Sequence, residues 1–480
     1  MTILESRDLV NWKYTGHAIP SLSWDARYNW DRMDGYKWGN WAGDLVYRDG
    51  EWLCYQIDFQ YGLTMTRAKD IHGPWSEPVT LLKTEHGSDP AVYFDEETKN
   101  AWLIFSAGHG SNPQKMTEQK LFKLSWDGTR ILDEGKTVYT GHRAEAAKLR
   151  RFNNQWYIML IEWRNTGGAW DRKQLCLRSL TDSPYGPYES RVVFQRENTT
   201  DRSACQGSLI QAPDGSWWFM HQLVQNGTPV FQGRPQCLQP VEWKDGWPVI
   251  GSDPDGDGIG IPVWQHRKPI ASDAGSAFAL ATSTEFDAPA LGAQWNWNHN
   301  PRNERWSLTA RPGRLRITAS RPVGNPEPAD GFWKAPNTLS QRHLGVTSGQ
   351  AETRLDLAGF KPGMFAGLCH FSDRYALCGI REDSGNRRWL VVSISGKEES
   401  IPAPAAERIL LRSRWTADRA AFSWSTDGDT WHQAGTEFVL TFGNWRGDRI
   451  GLFCYNSLTD DIQACGHADF DRFRHSYSKQ

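Results

Sequence analysis

Long hydrophobic runs are missing from this chain. Nothing in it approaches the roughly 18–20 consecutive apolar residues that cross a bilayer as a helix. An excess of one charge is missing too. Its 480 residues carry 54 Lys+Arg against 56 Asp+Glu, which leaves no footprint for nucleic acid or an anionic membrane surface. The first ten residues show no charged segment leading into an apolar core, so the expected location is the cytoplasm unless a leader was removed before Met1. Cysteine pairing signals are also lacking. The eight cysteines (Cys54, Cys176, Cys205, Cys237, Cys369, Cys378, Cys454 and Cys465) form no CxxC pair and no zinc spacing. Several lie in strand-like runs such as "WLCYQ" and "LFCYN", so buried free thiols in a reducing compartment are expected. Helical periodicity is nearly absent. Short alternating runs bounded by Gly, Pro, Asn and Asp leave an all-β chain, long enough for two domains.

What the chain has in surplus is tryptophan, 26 residues, which suits thick β-packing or a surface on which sugar rings stack. Four runs repeat a polar turn followed by a Trp-led strand: "DGEWLCYQ", "TKNAWLIFS", "NNQWYIML" and "DGSWWFMH". Their tryptophans, at 52, 102, 156 and 217, are spaced by 50, 54 and 61 residues, a period that signals a β-propeller. Each is followed by an outer element, such as "RAKDIHGPWSEPV" or "LQPVEWKDGWPVI". A fifth outer element, "SRDLVNWKYTG", stands at the start with no inner partner upstream. Five blades follow, the first incomplete, over residues 1–270. A linker is expected over 271–285. From 286 to 480, strands such as "GRLRITA", "AETRLDL" and the hairpin "AAFSWSTDGDTWHQAG" predict a β-sandwich.

Together "SRDLVNW", "WAGDLVYRDGEW", "SDPAVYFDEETKNAWLIF", "AEAAKLRRFNNQWYIML", "QGSLIQAPDGSWWFMH" and "GRPQCLQPVEWKDGWPVIG" resemble family 43 of the glycoside hydrolases. "LGAQWNWNHNP" and "WRGDRIGLFCYN" extend the resemblance into the sandwich. It implies a five-bladed propeller followed by a concanavalin-like jelly roll. It also implies inverting β-xylosidase or α-L-arabinofuranosidase activity on hemicellulose oligosaccharides, as in xylan degradation. Inversion needs a carboxylic acid at the leaving oxygen and a carboxylate that activates water from the opposite face. By the resemblance, Glu145 in "RAEAAK" is the general acid. Asp89 in "SDPAVYFD" is the aspartate that raises and orients it, both at equivalent strand entrances. The family's base is an aspartate upstream of "SRDLVNW", and residues 1–480 hold no counterpart. Four readings stand open: an inactive truncated form, a sugar-binding pseudoenzyme, a strand donated by a neighbouring subunit, or a replacement carboxylate. Asp44 of "WAGD" is the candidate replacement, with a structural hydrogen bond as its alternative role.

The resemblance also points to substrate contacts. Trp41 would stack on the sugar and the planar fork of Arg234 would suit vicinal hydroxyls. His221 would bond substrate or orient Arg234, and Gln206 is a further contact. Where the family reads "WAP", "EG" and a histidine before "QG", this chain has "WAG", Glu145-Ala146 and Cys205. No cofactor is required, and a thiol at 205 speaks against a structural Ca²⁺ on the axis. "SDPDGDGIGIP" mimics the start of a Ca²⁺ loop, but Trp264 stands where a bidentate Glu is needed, so an acidic turn is expected. A propeller scaffold for protein partners is a third function class; the carboxylate and arginine motifs argue against it.

Overall fold

The structure, a computed structural model, describes residues 1–480 apart from 20, 32, 36–37, 111, 198–203, 224–229, 272–276, 324–331, 345–346, 444–445 and 479–480; the side chains of 169, 204–205, 223 and 230 are also left out. The chain forms two compact units. One comprises Met1–Asp25, Lys37–Asn226 and Pro235–Ala279; the other comprises Ala26–Tyr36, Gly227–Arg234 and Leu280–Gln480. This division departs from the linear split at 270 and 286. Within the second unit Tyr28 is fully buried against His299, and the Phe231 ring lies 4.9 Å from that of His343. Thr284 pairs with Phe473, so the expected linker already belongs to the sandwich at its end.

The first unit has a propeller-like arrangement. It begins with a two-stranded sheet, β1 (Thr2–Ser6) and β2 (Trp12–His17). Four four-stranded sheets follow, each in simple sequential order. They are β3 (Asn40–Arg48), β4 (Glu51–Asp58), β5 (Gly62–Ala68) and β6 (Val79–Lys83); then β7 (Ser88–Asp95), β8 (Asn100–Ala107), β9 (Met116–Leu124) and β10 (Lys136–His142). Next come β11 (Glu145–Phe152), β12 (Gln155–Thr166), β13 (Ala169–Ser179) and β14 (Tyr188–Phe194). The last sheet is β15 (Ala204–Gln211), β16 (Trp217–Leu223), β17 (Gln236–Lys244) and β18 (Trp247–Ile250).

The repeat seen in the sequence is the second strand of each sheet, since Trp52, Trp102, Trp156 and Trp217 lie on β4, β8, β12 and β16. Asp49-Gly50 and Asn153-Asn154 take left-handed backbone at both positions, the two-residue turn that suits the twist of a hairpin. Neighbouring sheets meet through aromatic edges: Trp102 to Trp156 at 6.4 Å and Phe152 to Trp217 at 4.7 Å between centroids. Such contacts contribute about 0.5–1.5 kcal/mol each beyond buried area.

The second unit holds two seven-stranded antiparallel sheets. Met364–Phe371 and Arg449–Asn456 are central in one, and Ser348–Asp356 and Arg408–Thr416 in the other. Every second residue faces one shared core, among them Ala351, Leu355, Ala366, Leu368, Ile450 and Leu452. The seven described cysteines are all unpaired, and burial raises their thiols. No described helix is long and apolar enough to cross a membrane.

Candidate active site

Strand register explains how the inner strands present their chemistry. In each four-stranded sheet the innermost strand holds one extra residue against its neighbour, just inside its start. Trp41 and Ala42 lie opposite Ile57, Asp89 and Pro90 opposite Phe105, Ala146 and Ala147 opposite Leu160, and Gln206 and Gly207 opposite His221. A bulge of this kind re-aims side chains and frames active sites. Its first residue is left-handed in three sheets: Asp89 (φ 52°), Ala146 (φ 61°) and Gln206 (φ 67°). Trp41, Asp89 and Gln206 therefore occupy one structural position in three different sheets. Glu145 does not share it. It sits one residue earlier, level with Ser88, which corrects the expected equivalence of Asp89 and Glu145 by one position.

Glu145 is 5% exposed, and its Oε2 lies 3.1 Å from Nδ1 of His109. That same Nδ1 is 3.4 Å from Ser88 Oγ. Arg143 and Arg172 lie 5.2 and 5.1 Å from the Trp163 ring and also act on Glu145. Burial pushes the Glu145 carboxyl up, but the His109 hydrogen bond and the charges of Arg172, His109 and Arg143 outweigh it, so the net direction is down. Asp89, 9% exposed, goes the other way. Burial first and the Glu145 charge second raise it, against the pull of Lys148, His109 and Ser88. The two carboxyls of this pair are thus pushed in opposite directions. The resemblance expects Asp89 to raise Glu145; the influences that act most on Glu145 here are burial, His109, Arg172 and Arg143.

Asp44 has a different situation. Its Oδ2 accepts the Val92 backbone N–H at 2.9 Å and its Oδ1 that of Leu45 at 3.1 Å, which straps β3 to β7 of the next sheet. Lys148 lies under the influence of both Asp44 and Asp89; burial lowers its ammonium against their opposing effect, and burial prevails. Trp41 stacks on Phe59 (4.8 Å, 18° between planes) and meets the His109 ring edge-on at 5.7 Å. Trp38, partly exposed, stacks on Phe59 at 5.6 Å, which extends the aromatic ladder.

His221 is 0% exposed, gives Nδ1–H to the Gln222 carbonyl at 3.0 Å, and packs against Phe194 and Phe219. It stands where the other sheets have Ile57, Phe105 and Leu160, its Nε2 has no hydrogen-bond partner among the described residues, and desolvation lowers it to about 4. Arg234 belongs to the second unit. Gln206 accepts no such enclosure; it is half-buried, and its backbone N–H bonds Gln174 Oε1 at 2.9 Å. The Cys205 side chain lies outside the described residues. The acidic loop is a turn, with Gly258 N–H on Asp253 Oδ2 at 3.1 Å and Ile259 N–H on Asp257 Oδ1 at 2.8 Å.

Sequence reasoning missed His109, Arg143, Lys148 and Arg172. A signal for the first existed. Counting seven residues from the first three repeat tryptophans leads to Phe59, His109 and Trp163, a ring in each case, and each of these rings is part of the arrangement just described; from the fourth, Trp217, the count leads to a valine and the pattern stops.

Repeated four-stranded sheets that converge buried, coupled carboxyls at their inner-strand entrances, with arginines and an aromatic ladder beside them, define an enzyme built to cleave glycosidic bonds. Sequence comparison completes the assignment. Residues 1–248 match the family described as "Glycosyl hydrolases family 43", and residues 283–476 match the "Beta xylosidase C-terminal Concanavalin A-like domain". The chain belongs to glycoside hydrolase family 43. It is 45% identical to a protein of Formosa agariphila named "Beta-xylosidase", over 99% of this chain and 84% of that one. It is 33% identical to a "Putative beta-xylosidase" of Xylanibacter ruminicola, over 97% and 82%. Among solved structures, the bifunctional GH43-CE protein of Bacteroides eggerthii superimposes with a TM-score of 0.79 at 28% identity, covering 100% of this chain and 60% of that protein.

Proposed function

We propose that this enzyme is an exo-acting, inverting β-xylosidase that releases xylose from short hemicellulose oligosaccharides. One observation carries the reading: Glu145, enclosed and bonded to His109, is electrostatically coupled to Asp89 at the entrance of the neighbouring sheet. Glu145 delivers a proton to the leaving oxygen, and the water that attacks from the opposite face gives up its own proton to a carboxylate. A sugar seated against the pair expels water, which favours the neutral form of Glu145. Trp41 supplies a stacking face for the glycone, with Gln206 on the equivalent bulge of the last four-stranded sheet. Asp44 positions β3 on β7. Arg234 is assigned to vicinal hydroxyls on the motif alone. The sheet of β1 and β2 is the outer pair of a fifth blade, since its "SRDLVNW" turn repeats the outer element of the other four. The xylose preference rests on the named activity of the 45% identical relative.

The test is hydrolysis of xylobiose followed by proton NMR within the first minutes. Release of α-xylose ahead of mutarotation supports the proposal. A β-xylose burst overturns inversion, and turnover of an arabinofuranoside but not of xylobiose overturns the substrate.

A further inference from the structure

A cluster of donors lies between the sheets of the second unit, remote in sequence from Glu145, Asp89 and the residues around them. His343 follows the strand Leu339–Arg342, Asp448 precedes Arg449–Asn456, and His370 lies on Met364–Phe371. These three strands are neighbours in one sheet, so the three side chains meet at their shared end. The Nδ1 atoms of His343 and His370 lie 3.0 and 2.6 Å from the same oxygen, Asp448 Oδ2. All three residues are at most 4% exposed.

The site has the chemistry of a metal centre as well as its shape. Asp448 is a buried carboxylate whose ion-pair partners, among the described residues, are imidazoles alone. Burying an ionised carboxylate without a cation is costly, and neutral imidazoles offer it only dipoles. Its second oxygen, Oδ1, and Nε2 of His343 have no hydrogen-bond partner among the described residues. The far nitrogen of His370, Nε2, lies 2.8 Å from Ser413 Oγ on the facing sheet, the kind of partner that fixes the tautomer of a metal-ligating histidine. Trp415, Phe422 and Phe438 wall the site with rings at 4.0–5.8 Å, which keeps it dry. His475, 6.3 Å from His343 between centroids, is a further imidazole in reach of a fourth position.

We propose that His343, His370 and Asp448 form a structural site for a divalent first-row metal, Zn²⁺ by the borderline character of its two-nitrogen, one-oxygen donor set. Bonds of about 2.0–2.1 Å at tetrahedral angles place ligand atoms about 3.3 Å apart. The carboxylate therefore moves back by a few tenths of an ångström when the ion enters. Both Nδ1 atoms then carry lone pairs to the metal, and His370 donates Nε2–H to Ser413. Because the site is enclosed, the ion enters during folding and locks the end of three strands.

The test is metal analysis of untagged full-length protein from zinc-supplemented cells, dialysed without chelator. About one zinc, or one other first-row divalent ion, per chain is expected. Refolding with Zn²⁺ instead of EDTA should raise the thermal midpoint by about 5 °C or more. Refolding with Co²⁺ should give visible d–d absorption. His370→Asn should lose the ion. Less than a tenth of an equivalent in the parent protein, with refolding indifferent to Zn²⁺, overturns the proposal and leaves a hydrogen-bonded triad. Full retention of the ion in His370→Asn places it elsewhere and overturns the assignment equally. If that variant does not fold, the parent's metal content and cobalt spectrum decide alone.

Discussion

Replacing Glu145 by Gln isolates the proton-transfer step. The amide has nearly the volume of the carboxyl, so the enclosed site and its 3.1 Å contact with His109 are kept while the acid is lost. A positioned general acid contributes about 10²–10⁴-fold in rate, or roughly 3–5 kcal/mol. The expected loss is placed toward the lower end, because the ring of His109 still holds the vacated position in a polar contact. About 10²–10³-fold in kcat/KM on xylobiose is therefore expected, falling further in Glu145→Gln combined with His109→Phe. The signature is in the leaving group. A sugar hydroxyl departs poorly as an anion and needs the proton, whereas p-nitrophenolate departs readily without it. Steady-state kcat/KM on xylobiose and on p-nitrophenyl β-D-xyloside should thus separate, with at most about a tenfold loss on the aryl substrate. Equal losses on both, or undiminished turnover of xylobiose, would refute Glu145 as the acid.

Asp89→Asn should abolish most turnover yet stabilise the fold at neutral pH. Native Asp89 holds its proton more tightly than the unfolded chain does, so between the ordinary carboxylate range and its raised value the native state binds more protons, and stability falls as pH rises. Urea titrations from pH 4 to 8 should show that fall in the parent and a flatter curve in the variant; the same slope in both would defeat the electrostatic account. Asp44→Asn should cost about 1–2 kcal/mol of stability through its bond to Val92 N–H, with kcat within tenfold of the parent. A loss of 10²-fold or more in a folded variant would instead make Asp44 the base. Trp41→Ala should raise KM for xylobiose about 2- to 10-fold, from a stacking contribution of roughly 0.5–1.5 kcal/mol, with a smaller change in kcat. A change in thermal midpoint alone, with KM unmoved, would mark Trp41 as packing.

The tryptophan repeat was legible because one physical demand recurs. A second strand, buried on both sides between neighbouring sheets, needs a large ring at the same place each time, and Trp102 and Trp156 meet edge-on to satisfy it. The segments Ala26–Tyr36 and Gly227–Arg234 were not legible as parts of the sandwich unit. Their sequence neighbours belong to strands of the other unit, and only the burial of Tyr28 and Phe231 reveals their allegiance. The row of His221 was not legible either, since only register sets it opposite a bulge, in a row otherwise filled by Ile57, Phe105 and Leu160.

The bulge is also where the chemistry became hard to read from the chain alone. One added residue at the same place in four sheets shifts the alternation that a strand otherwise obeys, so side chains on both sides of it reach the hub. That is how Asp89 from the bulge of one sheet and Glu145 from the residue before the bulge of the next can couple, although strict alternation would send one of them away. Ala146 shows the constraint from the other direction. It holds the left-handed backbone that a glycine would take freely, at a cost of order 1–2 kcal/mol, while its methyl packs on Ile161 in a buried pair. The strain falls on the residue next to Glu145. It is offset by burial of about one methyl group's worth of surface, so the acid's position is set by backbone geometry and not by the identity of the residue that follows it.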